Sequence, residues 1–116
     1  MKARDNALIA MTPAADMSGK EGYFIKADGS LAGADETPFG VITEVQPNGG
    51  DVSVAICSGG FAGTVKIKLG ANASKGDDVG SDANGAGDSA AAVVAAQVIE
   101  DGEADELVEA VIYKPI

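Results

Sequence analysis

The sequence contains no histidine and no tryptophan, and it has only three Phe, two Tyr and one Cys. Without histidine, the chain has neither the usual base of Ser-His-Asp and Cys-His mechanisms nor the commonest nitrogen ligand of zinc. Few aromatic rings also make a poor platform for a sugar substrate. We therefore expect a protein that is not an enzyme and that holds no cofactor or metal.

Basic residues are scarce as well. The chain has 8 Lys and Arg against 18 Asp and Glu, a net charge of −10. Proteins bind phosphate backbones mainly through Lys and Arg, so we expect no direct nucleic-acid partner.

Long apolar runs and paired cysteines are absent too. The amino-terminal apolar stretch, Ala7 to Met11, is shorter than a signal-peptide core, and no stretch reaches membrane-spanning length. Cys57 has no partner for an intramolecular disulfide, which fits a reducing compartment. The expectation is a protein that is cytosolic when made and has no membrane partner.

A chain of 116 residues and 11.5 kDa is the size of one domain. Its hydrophobic fraction is 46%, but much of that fraction is alanine, so few large side chains remain to build a core. Small domains bury a modest share of their surface. We therefore expect the protein to associate with copies of itself or with a larger partner.

Short strands and turns dominate the middle of the chain. Val65, Ile67 and Leu69 alternate with Lys66 and Lys68, the period-2 pattern of a strand with one buried face. The turns between strands carry Gly and Pro. They are Pro47-Asn48-Gly49-Gly50 and Ser58-Gly59-Gly60.

Six further segments are predicted as strands: Gly22–Ala27 with a turn at Asp28-Gly29, Phe39–Val45, Asp51–Cys57, Asp77–Val79, a segment from about Ala92 onward, and Leu107–Tyr113. Ser89–Glu100 is ambiguous, because its alanines favour a helix and its Val and Ile favour a strand. The nearby Asp101-Gly102 turn favours a strand. The pattern predicts an all-β fold, a small antiparallel β-barrel or β-sandwich of about seven short strands.

The amino-terminal segment is rich in Ala and Met, and Pro13 prevents a regular helix. It is predicted to be an extended arm, residues 1–18, that contacts a partner or else frays. Residues 19–116 are predicted to form a single β-rich domain.

Four features could carry chemistry, and each has a plainer interpretation. Cys57 is interpreted as a small buried hydrophobe rather than a thiol nucleophile. Asp77-Asp78, near Asp82 and Asp88, is interpreted as a turn rather than an acid/base pair. Asp82 to Asp88 lacks the spacing of a calcium-binding EF-hand loop. Gly59 to Gly63, around Phe61, lacks the Gly-Lys-Ser/Thr ending of a phosphate loop. We predict no catalytic, cofactor-binding or metal-binding residue.

The order of several motifs resembles that of the head decoration proteins, also called capsid cement proteins, of tailed bacteriophages. The motifs are Phe39-Gly40-Val41-Ile42, Val52-Ser53-Val54-Ala55 with Gly59-Gly60, Gly63-Thr64-Val65-Lys66-Ile67-Lys68-Leu69, Gly76-Asp77-Asp78-Val79 and Ala104-Asp105-Glu106-Leu107-Val108-Glu109-Ala110. The likeness extends from about Gly22 to the carboxyl terminus.

The resemblance implies a β-rich domain that attaches to the outer surface of an assembled capsid and reinforces the shell against packaged DNA. Its implied partner is the major capsid protein, and its implied form is a homotrimer at three-fold positions. It supplies no capsid-binding residues. A β-module of the phage tail or baseplate is an alternative, and a metal-dependent or carbohydrate-active protein is a more distant one.

Overall fold

The computed structural model describes residues 8–46, 50–57, 64–113 and 115, and every regular element among them is a β-strand. The nine strands of this part are β1 (Leu8–Met11), β2 (Phe24–Ile25), β3 (Gly40–Val45), β4 (Val52–Ile56), β5 (Val65–Lys68), β6 (Asp78–Ser81), β7 (Gly87–Asp88), β8 (Val94–Val98) and β9 (Leu107–Ile112). The all-β prediction is confirmed. Across these same ranges, no helix is long and apolar enough to cross a membrane.

The strands form two antiparallel sheets. One has four strands in the order β1-β4-β3-β2, and the other has five in the order β5-β9-β8-β6-β7. An isolated parallel bridge between Leu69 and Gly87 joins the two ends of the larger sheet. The domain is thus a small β-sandwich whose larger sheet curls until its ends meet.

In the larger sheet, buried and exposed side chains alternate along β5 and β9. Val65 and Ile67 in β5 are buried, and Val108, Ala110 and Ile112 in β9 face the same core. These strands pair in the register that places Ile67 opposite Val108. Because side chains alternate between the faces of a strand, the polar residues of β5 and β9 point outward.

The ambiguous alanine-rich segment is a strand, β8. Ala95, Ala96 and Val98 are buried in the core. Ala96 lies between Val79 of β6 and Ile112 of β9 in the ladder. The small side chain of Ala96 fits between these two larger ones on the core face, so alanine here serves core packing rather than helix formation.

Strands β2, β3 and β4 of the four-stranded sheet have buried side chains on both faces. Val41 and Ala55 face the main core between the sheets. On the opposite face, Met17 packs against a second cluster that contains Ile25, Ile42, Val52 and Val54. The segment before β2 therefore acts as a cover for this sheet.

Part of the predicted arm is built into the sheet. β1 pairs antiparallel with β4, with Leu8 opposite Ala55, and Met17 is 4% exposed. Two strands lie outside the segments predicted as strands: β1, within the arm, and β7, within the glycine-rich stretch before β8. The predicted turns at residues 47–50 and 58–60 lie largely or wholly outside the described residues.

Gly22 connects the two sheets through its backbone. Its N–H donates to the Ile42 carbonyl (2.7 Å), and its carbonyl accepts from the Lys68 N–H (3.0 Å). Its φ is +89°, and a Cβ at this position would lie 2.8 Å from the Lys68 nitrogen. Glycine is required here both by the backbone conformation and by the close approach of β5.

We expect Met17→Ala to lower the free energy of unfolding by about 2 to 4 kcal/mol, because it leaves a cavity in the second cluster. Urea denaturation checks this value. Ile99→Ala, at a position 42% exposed, is the control and should cost less than about 1 kcal/mol. Equal, small losses for both variants would contradict the covering role of Met17.

Gly22→Ala should destabilise the protein more than Gly76→Ala does. Both glycines have positive φ, but nothing lies within 4 Å of a Cβ at Gly76. Conformational strain alone is worth about 1 to 2 kcal/mol, and the crowding at Gly22 should add at least about 1 kcal/mol. Chemical denaturation of the two variants measures the difference, and equal stabilities would show that Gly22 is not crowded in solution.

Candidate functional site

The structure places Cys57 in the main core, where the residue is 1% exposed. Burial raises the pKa of its thiol to about 12. A thiol nucleophile needs its thiolate form near neutral pH and access to a substrate. At this position Cys57 has neither, and it acts as a small apolar side chain.

The neighbouring carboxylates Asp77 and Asp78 bind separate partners. The Asp77 carboxylate accepts from the backbone N–H of Ser74 (2.9 Å), within a turn. The Asp78 carboxylate accepts from the Tyr113 hydroxyl (2.9 Å). Burial, and then the bond to Asp78, raise the pKa of Tyr113 to about 12. The two carboxylates therefore bind different groups of the chain.

Asp82 and Asp88 stabilise turns. One oxygen of Asp82 accepts from the N–H groups of Asn84 (2.7 Å) and Ala86 (3.0 Å). Asp88 accepts from the N–H of Ala90 (2.9 Å) in the same manner. In the described ranges, no group of three or more His, Cys, Asp or Glu side chains is placed to hold a metal ion. The predicted glycine-rich stretch around Phe61, residues 59–63, lies outside those ranges.

A groove of about 410 Å³ lies where the two sheets meet beyond Gly22. Leu8 and Leu107 line it, and each is 46% exposed. Its lining residues come from β1, β3, β5, β9 and the turn before β2: Leu8, Glu21, Gly22, Ile42, Thr43, Thr64, Val65, Lys66 and Leu107. The volume lies within the range of about 300–1,000 Å³ that is usual for binding pockets.

The backbone of Lys66 faces this groove. Lys66 lies opposite Glu109, whose carbonyl accepts from Ile99 N–H (3.0 Å) and whose N–H donates to the Glu100 carboxylate (3.3 Å). Opposed residues in an antiparallel pair bond to each other or turn away together. Since Glu109 turns away, the N–H and carbonyl of Lys66 point away from β9. The Lys66 carbonyl oxygen would lie 3.2 Å from a Cβ on Gly22, which agrees with this direction.

The outer face of the larger sheet exposes a second apolar area, here called the β9 face: Leu107, Val111 and Ile99. Leu107 is 46% exposed, and Val111 and Ile99 are each 42% exposed. Lys66 and Glu109 form an ion pair (3.7 Å) across β5 and β9 on this side. Leu107 belongs to both the groove and the β9 face, so the two areas adjoin.

None of these groove residues is predicted as a site from the sequence. The one sequence feature that points to this surface is the uncharged run of β1, Leu-Ile-Ala-Met, whose side chains are largely exposed in the structure. An edge strand without charges is an open template for pairing. The position of Gly22 beside Lys68 depends on the tertiary fold and has no signature in the sequence.

A comparison with models of known protein families gives no match for this chain, and a comparison with curated protein sequences gives none either.

The stability of the protein should fall as the pH rises from 9 to 10, partly because of Cys57. The thiol of the unfolded chain ionises near pH 9, whereas the folded thiol holds its proton until about pH 12, so alkali favours the unfolded state. Cys57→Ala should lose less stability over this interval, as measured by urea denaturation at each pH. An identical pH dependence in the two proteins would contradict the burial of the thiol.

Proposed function

We propose that this protein is a virion structural protein: a decoration, or cement, protein that binds the outer surface of an assembled tailed-phage capsid and stabilises it against packaged DNA. The order of strand and turn motifs from Gly22 onward, which resembles that of such proteins, supports the proposal. In it, the chain performs no catalysis and needs no cofactor.

The observation that carries the proposal is the exposed apolar surface formed by the groove and the β9 face. Leu8, Leu107 and Val111 are each more than 40% exposed on a domain of only 116 residues. Adjoining exposed apolar side chains on a small domain mark surfaces that bind other proteins. A capsid that presents the same site many times is a suitable partner for such a surface.

A homotrimer fits the energetics of this surface. The core is rich in Ala and Val, and three linked copies would cover part of what a single copy leaves exposed. Linking three binding modules also raises the effective concentration of the second and third contacts. Modest contacts at three-fold positions then give firm attachment without one large interface.

The negative charge favours the outside of the shell. At −10, the chain is repelled by DNA, so the proposed partner is the major capsid protein and not nucleic acid. In this proposal the protein is made in the host cytoplasm and ends on the outer surface of the virion.

Co-sedimentation with purified capsids that lack the protein tests this proposal. We expect saturable binding at micromolar concentration and a loss of at least about tenfold in affinity for Val111→Asp, which buries an unpaired charge in the contact. Ala71→Asp adds the same charge at an exposed bend and should bind as the wild type does.

Absence of the wild-type protein from the capsid pellet at micromolar concentration would overturn the proposal. Its recovery on isolated tails instead of heads would favour the tail or baseplate alternative.

A further inference from the structure

We infer that the groove beyond Gly22 is a slot for one extended segment of the partner protein, whose backbone pairs with the outward edge of β5 at Lys66. The identity of that partner as the capsid subunit rests on the proposed function. The existence of the slot rests only on the backbone geometry.

Gly22 already occupies one position between the two strands. It bonds to Ile42 of β3 on one side and to Lys68 of β5 on the other. The chain reaches Gly22 from a turn at Lys20, in which the Tyr23 N–H donates to the Lys20 carbonyl (3.1 Å). Residues before this turn therefore do not lie between the two strands. The groove continues the same line, between Thr43 of β3 and Lys66 of β5.

The wall of the groove offers what an added strand needs. The Lys66 N–H faces it and is open to an incoming backbone carbonyl, while the Lys66 carbonyl lies beside Gly22. Leu8 and Leu107 provide apolar contacts for one inward side chain of the segment. A backbone edge combined with an apolar pocket is the arrangement by which sheets bind extended peptides.

The charges around the groove indicate what kind of partner segment it binds. Glu21 lies at the groove and is exposed, while the Lys66 ammonium is already paired with Glu109. With the Lys66 ammonium paired to Glu109, the Glu21 carboxylate and the net charge of −10 favour a segment with basic residues beside its apolar ones. A second copy of this chain carries the same negative charge and is the less favoured occupant.

Lys66→Pro tests the slot directly, with Lys66→Ala as its control. Proline removes the N–H that faces the groove, and at an edge strand this costs no bond within the sheet. Both variants lose the side-chain charge, so only the backbone donor distinguishes them. We expect Lys66→Pro to bind undecorated capsids at least about tenfold more weakly than Lys66→Ala does.

A second pair of variants tests the slot without proline, so that the test still holds if Lys66→Pro does not fold. Leu8→Asp places a charge in the groove, whereas Ile9→Asp places one on the opposite face of β1, because adjacent strand residues point to opposite faces. Leu8→Asp should weaken capsid binding about tenfold, and Ile9→Asp should leave it near the wild-type value.

A peptide experiment separates this inference from the proposed function. The labelled protein is titrated with acetyl-Val-Lys-Val-Lys-Val-amide and with its Val-Glu counterpart, and amide shifts are followed by NMR. The basic peptide should shift the amides of Gly22, Thr43 and Lys66 and slow hydrogen exchange at Lys66, and the acidic peptide should bind at least about threefold more weakly.

The capsid and peptide experiments distinguish failure of the proposed function from failure of the slot. Wild-type protein that fails to bind capsids but binds the basic peptide in the groove overturns the proposed function and leaves the slot in place. Capsid binding that is equal in all four variants, or peptide shifts that avoid the groove, overturns the slot. Light scattering that shows an oligomer lost only in Lys66→Pro and Leu8→Asp would assign the slot to a second copy and overturn the capsid assignment.

Discussion

The structure depends on a four-stranded sheet in which β2, β3 and β4 have buried side chains on both faces. Val41 and Ala55 pack against the larger sheet, and Ile42 and Val54 pack under Met17. With few large side chains available, the chain builds two thin cores on one sheet rather than one thick core. This arrangement fixes the path of residues 12–22 over the sheet and ends that path at Gly22, where the two sheets are joined.

The strands that could be predicted from the sequence are those with a clear pattern. β5 and β9 have one buried face and alternate cleanly, and β8 was assignable despite its alanines because a turn follows it. β1 and β7 give no such pattern. β1 is uniformly apolar and half exposed, and β7 has only two residues, Gly87 and Asp88. For both, pairing with distant strands decides the structure.

The surface proposed to bind the capsid could not be predicted, because it is made by tertiary contacts. Gly22 and Lys66 are far apart in sequence, and only the fold brings the Gly22 backbone against β5. The interpretation of Cys57 as a small buried residue agrees with its place in the core, and Asp77 and Asp82 accept hydrogen bonds within turns. The groove adds a backbone edge beside apolar side chains, and no sequence motif marks it.

We propose that this domain attaches to a capsid from outside, and electron cryo-microscopy of virions made with and without the protein is the decisive test. We expect difference density of the size of this β-sandwich on the outer surface, at three-fold positions and in contact with the capsid subunits. Capsid surfaces that are identical in the two preparations would contradict it.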